Sequence, residues 1–396
     1  MTQTTTSSTT PSDATRRHPR TRAKIRSAGA RRSVFLLVAV AMLLTIGLGA
    51  MLSASSVVSI RANADQFELF TKQIVWVGLG LAAMTVTAFV PYRVWQKFAL
   101  PIYSLVVIGL LVTLIIGDAR GGATRWIVVG PITIQVAEFA KFAALSLLAA
   151  VLTRKNTLVA DIRHVVVPVV AILGTVGLLL IAQPDFGNVL LVVVPAFIML
   201  AASTVPLRFV LSMAGLGALA LTALAMSADY RKARLLGFAD PFANAQGSGL
   251  QAVQSMVALG TGGMFGVGLG QSRARWLWLP NAHTDFIFAI IGEETGFAGA
   301  FIVITLFALV AIVGVSIAYR APNMYGRLLA IGIISWLTVQ ALVNIGGVVA
   351  VLPITGVPLP FISAGGNAMI ANLAAVGILL NISRASDRVD SSTDRS

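Results

Sequence analysis

The sequence predicts an all-α integral membrane protein with about ten transmembrane helices and one large extracytoplasmic loop between helices 7 and 8. Apolar residues make up 57% of the 396 residues and charged residues only 11%, which is too apolar for a soluble fold of this size. Uncharged apolar runs of roughly twenty residues, the length that spans a bilayer, recur along the chain. A large soluble protein with buried helices would not repeat such runs.

Ten segments are apolar and long enough to be spans. They are 34–55, 73–90, 98–117, 137–152, 164–183, 186–202, 206–227, 285–318, 324–350 and 364–383. The run at 137–152 is short, whereas 285–318 is long enough to tilt or to begin above the lipid. An even number of spans places both termini on the same side of the membrane.

The distribution of positive charge predicts which side that is. Of the 29 Lys and Arg residues, 19 lie in the two tails and the even-numbered loops, and such residues collect on the cytoplasmic side. Eight of them lie between Arg16 and Arg32, just before the first apolar run, which is typical of a juxtamembrane segment rather than of a nucleic-acid-binding protein. Both termini are therefore predicted to be cytoplasmic.

The predicted organisation is one membrane domain between two tails. Residues 1–33, rich in Ser, Thr, Pro and Arg, are expected to form a disordered basic tail. The transmembrane domain covers 34–383 and includes the loop 228–284, and a second cytoplasmic tail covers 384–396. The first apolar run is too long for a signal peptide and lacks a cleavage site, so it is expected to remain as an anchor. The chain has no cysteine, which excludes disulfides and thiolate chemistry.

Polar residues occur at four places on the predicted outer side, where each is costly in lipid unless it is paired or hydrated. The first place follows Arg125: Gln135, Glu138 and Lys141 are spaced so that they share one side of a helix. A structural ion pair and the wall of a polar cavity both fit this pattern. The second place is the turn at Asp185, where the carboxylate suits a helix cap.

The third place is the start of the long segment 285–318. Asp285 could cap this helix, because a carboxylate is stabilised at a helix N-terminus. Capping does not explain Glu293, which lies about 12 Å further along the helix. Glu294 points to the far side and is predicted to make a structural contact.

The fourth place is the stretch 352–367, in which three prolines and three glycines forbid a continuous helix. It is predicted to be a shaped re-entrant loop, and the glycine-rich stretch 260–270 is expected to be partly re-entrant as well. Phosphate-binding loops, nucleophile elbows and transition-metal motifs are not found in the sequence.

At these four places the chain resembles the SEDS family (shape, elongation, division and sporulation), and within it the FtsW subfamily more than RodA or SpoVE. The motifs occur in order across 34–383 and are highly specific together. Asn281 and Ala364 replace a common Glu and a common Tyr, but no departure removes an ionisable residue with an assigned role. The matching residues are Arg125, Trp126, Gln135, Glu138, Lys141, Gln183, Pro184, Asp185, Gln251, Gln254, Ser255, Leu279, Pro280, His283, Thr284, Asp285, Glu293, Glu294, Pro360, Ser363 and Gly365.

The resemblance implies a peptidoglycan glycosyltransferase that polymerises lipid II at the outer face of the bacterial plasma membrane during septal cell-wall synthesis. It also implies a class B penicillin-binding protein and other division proteins as partners, and no nucleic acid. A lipid II flippase and a division scaffold are the alternative functions, and both would also be multi-pass membrane proteins.

The same resemblance assigns roles to individual residues. Asp285 is the expected general base for the acceptor sugar hydroxyl. The leaving pyrophosphate needs positive charge, which Arg125 and Lys141 would supply, with a divalent cation such as Mg²⁺ as a further candidate. Glu138 would orient Lys141. The remaining residues expected to bind substrate are Gln135, His283 and Ser363, although a lone histidine more often has a structural role.

Overall fold

A computed structural model of the chain describes residues 19–61, 67–120, 123–130, 132–154, 163–226, 237–238, 240–243, 245, 247, 249–274 and 284–393. The helices within these residues are α1 Pro19–Arg61, α2 Glu68–Phe89, α3 Tyr92–Lys97, α4 Ala99–Ile116, α5 Val136–Arg154, α6 Arg163–Ala182, α7 Phe186–Ala201, α8 Leu207–Met226, α9 Leu250–Gly262, α10 Ile287–Tyr319, α11 Met324–Val348 and α12 Gly366–Thr393. The strands are β1 Asp118–Arg120, β2 Ala123–Val129 and β3 Ile132–Ile134.

The predicted fold class is confirmed: the described chain is mostly helical, and eight of its helices are long and apolar enough to cross a membrane. Two shorter apolar helices, at Phe186–Ala201 and Leu207–Ala220, occupy the sixth and seventh predicted segments. All ten predicted segments therefore coincide with helices, while the number of crossings and their orientation stay predictions.

Three helices form the centre of the bundle. In α5 and α11, 78% of the residues in the apolar span are buried, and in α12 72%, compared with 17% in α2 and 22% in α4. The interior face of α5 is rich in alanine, and small residues let helix backbones approach closely in a membrane. The central helices α5 and α11 also contain the buried polar side chains described below, which the peripheral helices shield from lipid.

The first helix is longer than the sequence predicts. Backbone helix begins at Pro19, within the 1–33 segment that is expected to be disordered. The reason is local: residues 20–32 consist largely of Arg, Lys and Ala, which are strong helix formers and can extend the helix of the first span. The last helix likewise extends beyond residue 383 into the predicted C-terminal tail.

A small antiparallel sheet between α4 and α5 is absent from the sequence prediction. Its strand order is β1-β2-β3, with Asp118 opposite Trp126 and Val129 opposite Ile132. Gly130 has φ +59 at the turn between β2 and β3, a conformation that glycine adopts without strain. The sheet projects Arg125 from a defined position beside the membrane helices.

Helix α10 is broken at Gly296, which has φ +69 and ψ −166. The break frees backbone groups that would otherwise remain unpaired, and the segment after α9 satisfies them. Val267 N–H donates to Glu293 O at 3.0 Å, and Gly268 N–H donates to Glu294 O at 3.1 Å. The glycine-rich stretch is thus partly helical, and the rest of it hydrogen-bonds to the broken helix, while its re-entrant character stays a prediction.

Candidate active site

Asp285 lies just before α10, one residue ahead of its N-cap position. The N-cap position is Phe286, which makes no side-chain cap hydrogen bond. The backbone carbonyl of Asp285 accepts a hydrogen bond from Asn344 Nδ2 of α11 at 2.8 Å. A Cβ placed on Gly356 would lie 3.6 Å from Asp285 Oδ2, so the carboxylate stands directly beside the 351–365 loop. The carboxylate therefore borders the loop from a position next to the start of α10.

The loop 351–365 between α11 and α12 is non-helical, as its prolines and glycines predict. Two of its residues have left-handed backbone conformations: Gly356 with φ +76, and Phe361 with φ 65, which is strained for a residue with a side chain. Inside the loop, the hydroxyl of Ser363 accepts from the N–H of Leu359 at 2.8 Å. Ser363 is buried, and this bond makes it a support of the loop.

The loop and Asp285 together line a narrow, shallow cleft of about 190 Å³ including its open mouth. Asp285, Asn344, Thr355 and Gly356 contribute to its walls, so carboxylate, amide and hydroxyl groups surround one space. A sugar hydroxyl is the kind of group that such a cleft can accept, because it both donates and accepts hydrogen bonds.

Glu138 and Lys141 form a fully buried ion pair. Lys141 Nζ lies 2.7 Å from Glu138 Oε2 and 3.3 Å from Gln340 Oε1, and it is 5.0 Å from the ring centroid of Trp336. Lys141 has no solvent exposure, so its ammonium group faces protein on every side. Of the two interpretations open from the sequence, the structural pair describes this arrangement better than a cavity wall.

A row of polar residues on α11 joins this ion pair to the loop. Trp336, Gln340 and Asn344 are spaced four residues apart, so they lie on one face of the helix. Trp336 Nε1 donates to Gln340 Oε1 at 2.8 Å. Gln340 Nε2 donates to Pro358 O and Asn344 Nδ2 to Val357 O, both at 2.8 Å. The buried ion pair therefore contacts the loop through Gln340, and Asn344 holds the loop separately.

The sequence analysis did not identify these three α11 residues. The signal that could have revealed them is a four-residue spacing of Trp, Gln and Asn on an otherwise apolar helix. On such a helix, polar side chains turn toward protein partners.

Arg125 of β2 contacts the turn before α7. Its guanidinium donates to the carbonyl of Pro184, and its buried Nε has no hydrogen-bond partner among the described residues. Asp185 caps α7: its carboxylate accepts from the backbone N–H of Asn188 at 3.3 Å and from its side-chain amide at 2.9 Å. The capping interpretation of Asp185 is confirmed.

The N-terminal end of α7 places the Arg125 contact next to the loop. A Cβ on Gly187 would lie 2.6 Å from Val357 Cγ1 and 3.1 Å from Thr355 O, so only glycine permits this approach. At the other end of the loop, Asn367 Nδ2 donates to Thr133 O of β3 at 2.9 Å. Gln135 is half-buried between β3 and α5. All four polar places therefore meet around the loop 351–365.

Glu293 acts as a clamp rather than as part of the cleft. Its carboxylate accepts hydrogen bonds from the hydroxyl of Ser272 and from the backbone N–H groups of Arg273 (3.0 Å) and Ala274 (3.1 Å). It is 2% exposed. Glu293 thus ties the segment after α9 to the broken helix α10.

Three further predictions have different outcomes. Glu294 accepts a hydrogen bond from the hydroxyl of Ser53, which confirms its structural contact. His283 lies outside the described residues, so its role stays a prediction. Among the residues that the structure describes, no group of three His, Cys, Asp or Glu side chains could hold a metal ion. A divalent cation bound with the substrate stays a prediction too.

Comparison with known proteins places this geometry in a family. The model of a cell cycle protein family that groups FtsW, RodA and SpoVE matches residues 34–388. The chain is a SEDS protein. Stage V sporulation protein E of Bacillus subtilis (strain 168) is 37% identical to this SEDS protein over 355 residues, covering 89% of the chain and 97% of the relative.

A second relative bears the name FtsW. The probable peptidoglycan glycosyltransferase FtsW of Geobacter metallireducens is 38% identical over 352 residues, covering 88% of this chain and 94% of the relative. A solved structure that describes polymerization and crosslinking by a peptidoglycan synthase complex contains a chain of the same fold. Its TM-score is 0.73 at 28% identity, covering 89% of this SEDS protein and 97% of that chain. The predicted FtsW-like family membership is confirmed.

Proposed function

We propose that this SEDS protein is a peptidoglycan glycosyltransferase that polymerises lipid II at the outer face of the bacterial plasma membrane. The observation that carries the proposal is the placement of Asp285 at the wall of a polar cleft, where a carboxylate can accept a proton from a bound sugar hydroxyl. Relatives that match over nearly their whole length bear the name of this activity.

The proposed reaction joins two lipid-linked disaccharides. The hydroxyl of the acceptor sugar gives its proton to the Asp285 carboxylate and attacks the anomeric carbon of the donor. The bond between that carbon and the pyrophosphate oxygen breaks, and undecaprenyl pyrophosphate leaves with the electron pair. A single displacement of this kind inverts the anomeric carbon.

Arg125 is the better placed of the two candidate cations for the leaving pyrophosphate. It is half-buried, and its guanidinium keeps one donor, Nε, without a partner among the described residues. Guanidinium groups bind phosphate oxygens through two parallel hydrogen bonds. Gln135, half-buried between β3 and α5, offers an amide to the substrate. A divalent cation such as Mg²⁺ would add positive charge there.

Lys141 does not contact the substrate in this mechanism and acts on the loop 351–365 instead. Because its ammonium group is enclosed by Glu138, Gln340 and Trp336, it acts on the loop through Gln340 and Pro358. We propose that the ion pair is a positioning element, which keeps the cleft wall formed by Gly356 beside the Asp285 carboxylate.

Partner and location follow from the family. We propose that a class B penicillin-binding protein crosslinks the strands that this chain polymerises, that other division proteins bring both to the septum, and that both termini are cytoplasmic. The concentration of Lys and Arg in the tails and even-numbered loops supports the orientation.

Substituting Asp285 tests the proposed base. Purified protein with its transpeptidase partner would be supplied with lipid II, and polymer would be measured for wild type, Asp285→Asn and Asp285→Ala. Polymerisation should fall by about 100-fold or more, since general base catalysis contributes roughly 10² to 10⁴ in rate. Asp240→Asn is the matched control, because this exposed acid belongs to the segment before α9 and lies outside the cleft.

Reconstituting the same variants into lipid vesicles distinguishes the alternative functions. If Asp285→Asn loses polymer formation but still translocates lipid II, the result supports Asp285 as the base of polymerisation. Translocation would then be a separate activity that does not use this residue. Polymer formation near the wild-type rate by correctly folded Asp285→Asn would show that the assigned base is wrong. Orientation is measured separately, with a cysteine introduced in place of Thr2. A thiol reagent that cannot cross the membrane should label this cysteine in opened cells but not in intact cells.

A further inference from the structure

A second polar pocket lies at the opposite end of the bundle from Asp285. Its walls are the end of α2, the start of α3, the connection before α11 and the C-terminal part of α12. Its volume is about 930 Å³ including its open mouth. The pocket and the candidate active site lie at opposite ends of α11, about 30 Å apart along the helix. Under the predicted orientation, the pocket faces the cytoplasmic leaflet.

Two guanidinium groups make this pocket basic. Arg93 of α3 and Arg384 of α12 both line it and are both exposed. No carboxylate of the described residues pairs with either of them. The neighbouring connection between α10 and α11 adds Arg320, the first turn of α11 adds Arg327, and neither contains an acidic residue. Among the side chains that the structure describes, no carboxylate offsets the positive charge of the pocket.

The walls of the pocket are fixed by hydrogen bonds. Asn381 bridges the break between α2 and α3, since its Oδ1 accepts from the Tyr92 N–H at 2.9 Å and its Nδ2 donates to Ala88 O at 2.9 Å. Thr87 Oγ1 donates to Ala374 O at 2.8 Å, which joins α2 to α12 nearby. The two arginines therefore project from a rigid framework.

The apolar surroundings of the pocket point to a lipid. Phe89 is 73% exposed at the rim, and the Arg384 guanidinium lies 5.4 Å from its ring centroid. Val86, one turn earlier on α2, is 60% exposed. Charge inside the pocket and apolar side chains leading away from it match a phosphate headgroup with acyl chains, and basic pockets between helices on the cytoplasmic side bind such headgroups.

We propose that this pocket is a binding site for the phosphate group of an anionic phospholipid of the inner leaflet. Arg93 and Arg384 bind the phosphate oxygens, since a guanidinium can donate two parallel hydrogen bonds to them. The acyl chains lie along Phe89 and Val86. The site is separate from the proposed polymerisation site and does not depend on that activity.

Lipid titration of the full-length protein in detergent micelles tests the proposal. The thermal unfolding midpoint would be followed by intrinsic fluorescence against added phosphatidylglycerol, phosphatidylcholine or inorganic phosphate. The double variant Arg93→Gln with Arg384→Gln removes the proposed phosphate ligands. The matched control, Arg154→Gln with Arg208→Gln, removes two exposed charges at the same predicted face but outside the pocket, and Arg208 also lies over a phenylalanine ring.

Wild type and control should be stabilised by phosphatidylglycerol with the same apparent affinity, and the pocket variant should bind it roughly tenfold more weakly. Equal stabilisation by phosphatidylcholine, or an equal loss in the control pair, would overturn the site. Equal stabilisation by inorganic phosphate would overturn the lipid as its source. If the pocket variant does not fold, Arg384→Gln alone replaces it, with a loss of about fivefold expected.

Discussion

Asp285 and Glu293 lie eight residues apart at the N-terminal end of the same helical segment, yet their surroundings differ. Glu293 is 2% exposed and accepts hydrogen bonds from a hydroxyl and two backbone N–H groups, which fix one segment against α10. Asp285 is half-buried and lies at the wall of a cleft, beside the backbone of Gly356. A carboxylate enclosed by donors stabilises structure, whereas one that borders a cleft can receive a substrate proton.

The same contrast separates the two cations of the site. Lys141 is enclosed by an ion pair, an amide and an indole ring. Arg125 keeps a donor without a partner among the described residues and stands at the outer border of the loop. Enclosure by protein therefore separates residues that hold the loop from residues that border the cleft, and each side of this distinction can be tested.

The largest expected effect on stability comes from breaking the buried ion pair. Lys141→Met leaves the Glu138 carboxylate buried without a cation, which should lower the free energy of unfolding by about 3 to 5 kcal/mol. The thermal unfolding midpoint of the purified protein measures this loss. The double variant Lys141→Met with Glu138→Leu removes both charges and should recover much of the midpoint.

An exposed ion pair with a similar distance between its charged atoms is the matched control for that experiment. Lys72 and Glu68 on α2 are 2.6 Å apart, but their side chains are 63% and 45% exposed. Lys72→Met should change the free energy of unfolding by less than about 1 kcal/mol, because solvent screens the pair. Equal losses for Lys141→Met and Lys72→Met would contradict the structural role of the buried pair.

The Glu293 clamp should have the next largest effect. Glu293→Gln keeps the shape but removes the charge that the donors of Ser272, Arg273, Ala274 and, at 3.5 Å, Thr261 share. Hydrogen bonds to a charged group contribute about 1.5 to 3 kcal/mol. We expect a loss of about 2 kcal/mol in stability and faster tryptic cleavage after Arg273, which the clamp holds. Glu294→Gln, with a single hydroxyl partner, should lose less. An unchanged cleavage rate would argue against the clamp.

The spans and the polar places could be predicted from sequence because lipid imposes simple rules on composition and charge. The ten segments and the interruption at 352–366 follow from hydropathy, proline and glycine alone. The family resemblance added the substrate and the role of Asp285. The sequence pattern also predicted the structural contact of Glu294 and the cap at Asp185.

Other features depend on contacts between distant parts of the chain, which periodicity does not report. The role of Gln340 depends on two distant partners, Lys141 of α5 and the carbonyl of Pro358 in the 351–365 loop, which both contact its side chain. The break at Gly296 is stable only because the segment after α9 pairs with it. The β-sheet was missed because its strands are short and lie between two long apolar helices.

Asn344 links the proposed base Asp285 to the loop, and its loss should slow catalysis without unfolding the protein. Asn344→Leu removes the hydrogen bonds to the carbonyls of Asp285 and Val357. We expect kcat for lipid II polymerisation to fall about tenfold, which corresponds to about 1.4 kcal/mol, with a smaller change in KM. Ser335→Ala, on the same helix but away from the cleft, is the control. A change in KM alone would contradict a positioning role.

The smallest effect is expected at Gly356, where the backbone and the cleft meet. Its φ of +76 makes a side chain cost about 1 kcal/mol. A Cβ there would lie 3.6 Å from Asp285 Oδ2, an ordinary contact that the fold tolerates. Gly356→Ala should therefore lower stability slightly and the polymerisation rate about threefold. A misplaced cleft wall would raise the activation barrier of polymerisation by less than about 1 kcal/mol.

A glycine of similar strain outside the cleft distinguishes these two effects. Gly268 has φ +107, and a Cβ on it would meet only the Gln271 side chain, at 3.6 Å. Gly268→Ala should cost similar stability and leave polymerisation by the folded protein unchanged, as measured at equal amounts of folded enzyme. If both variants lose activity in proportion to stability, the cleft wall at Gly356 has no catalytic influence of its own, and the loop only supports the fold.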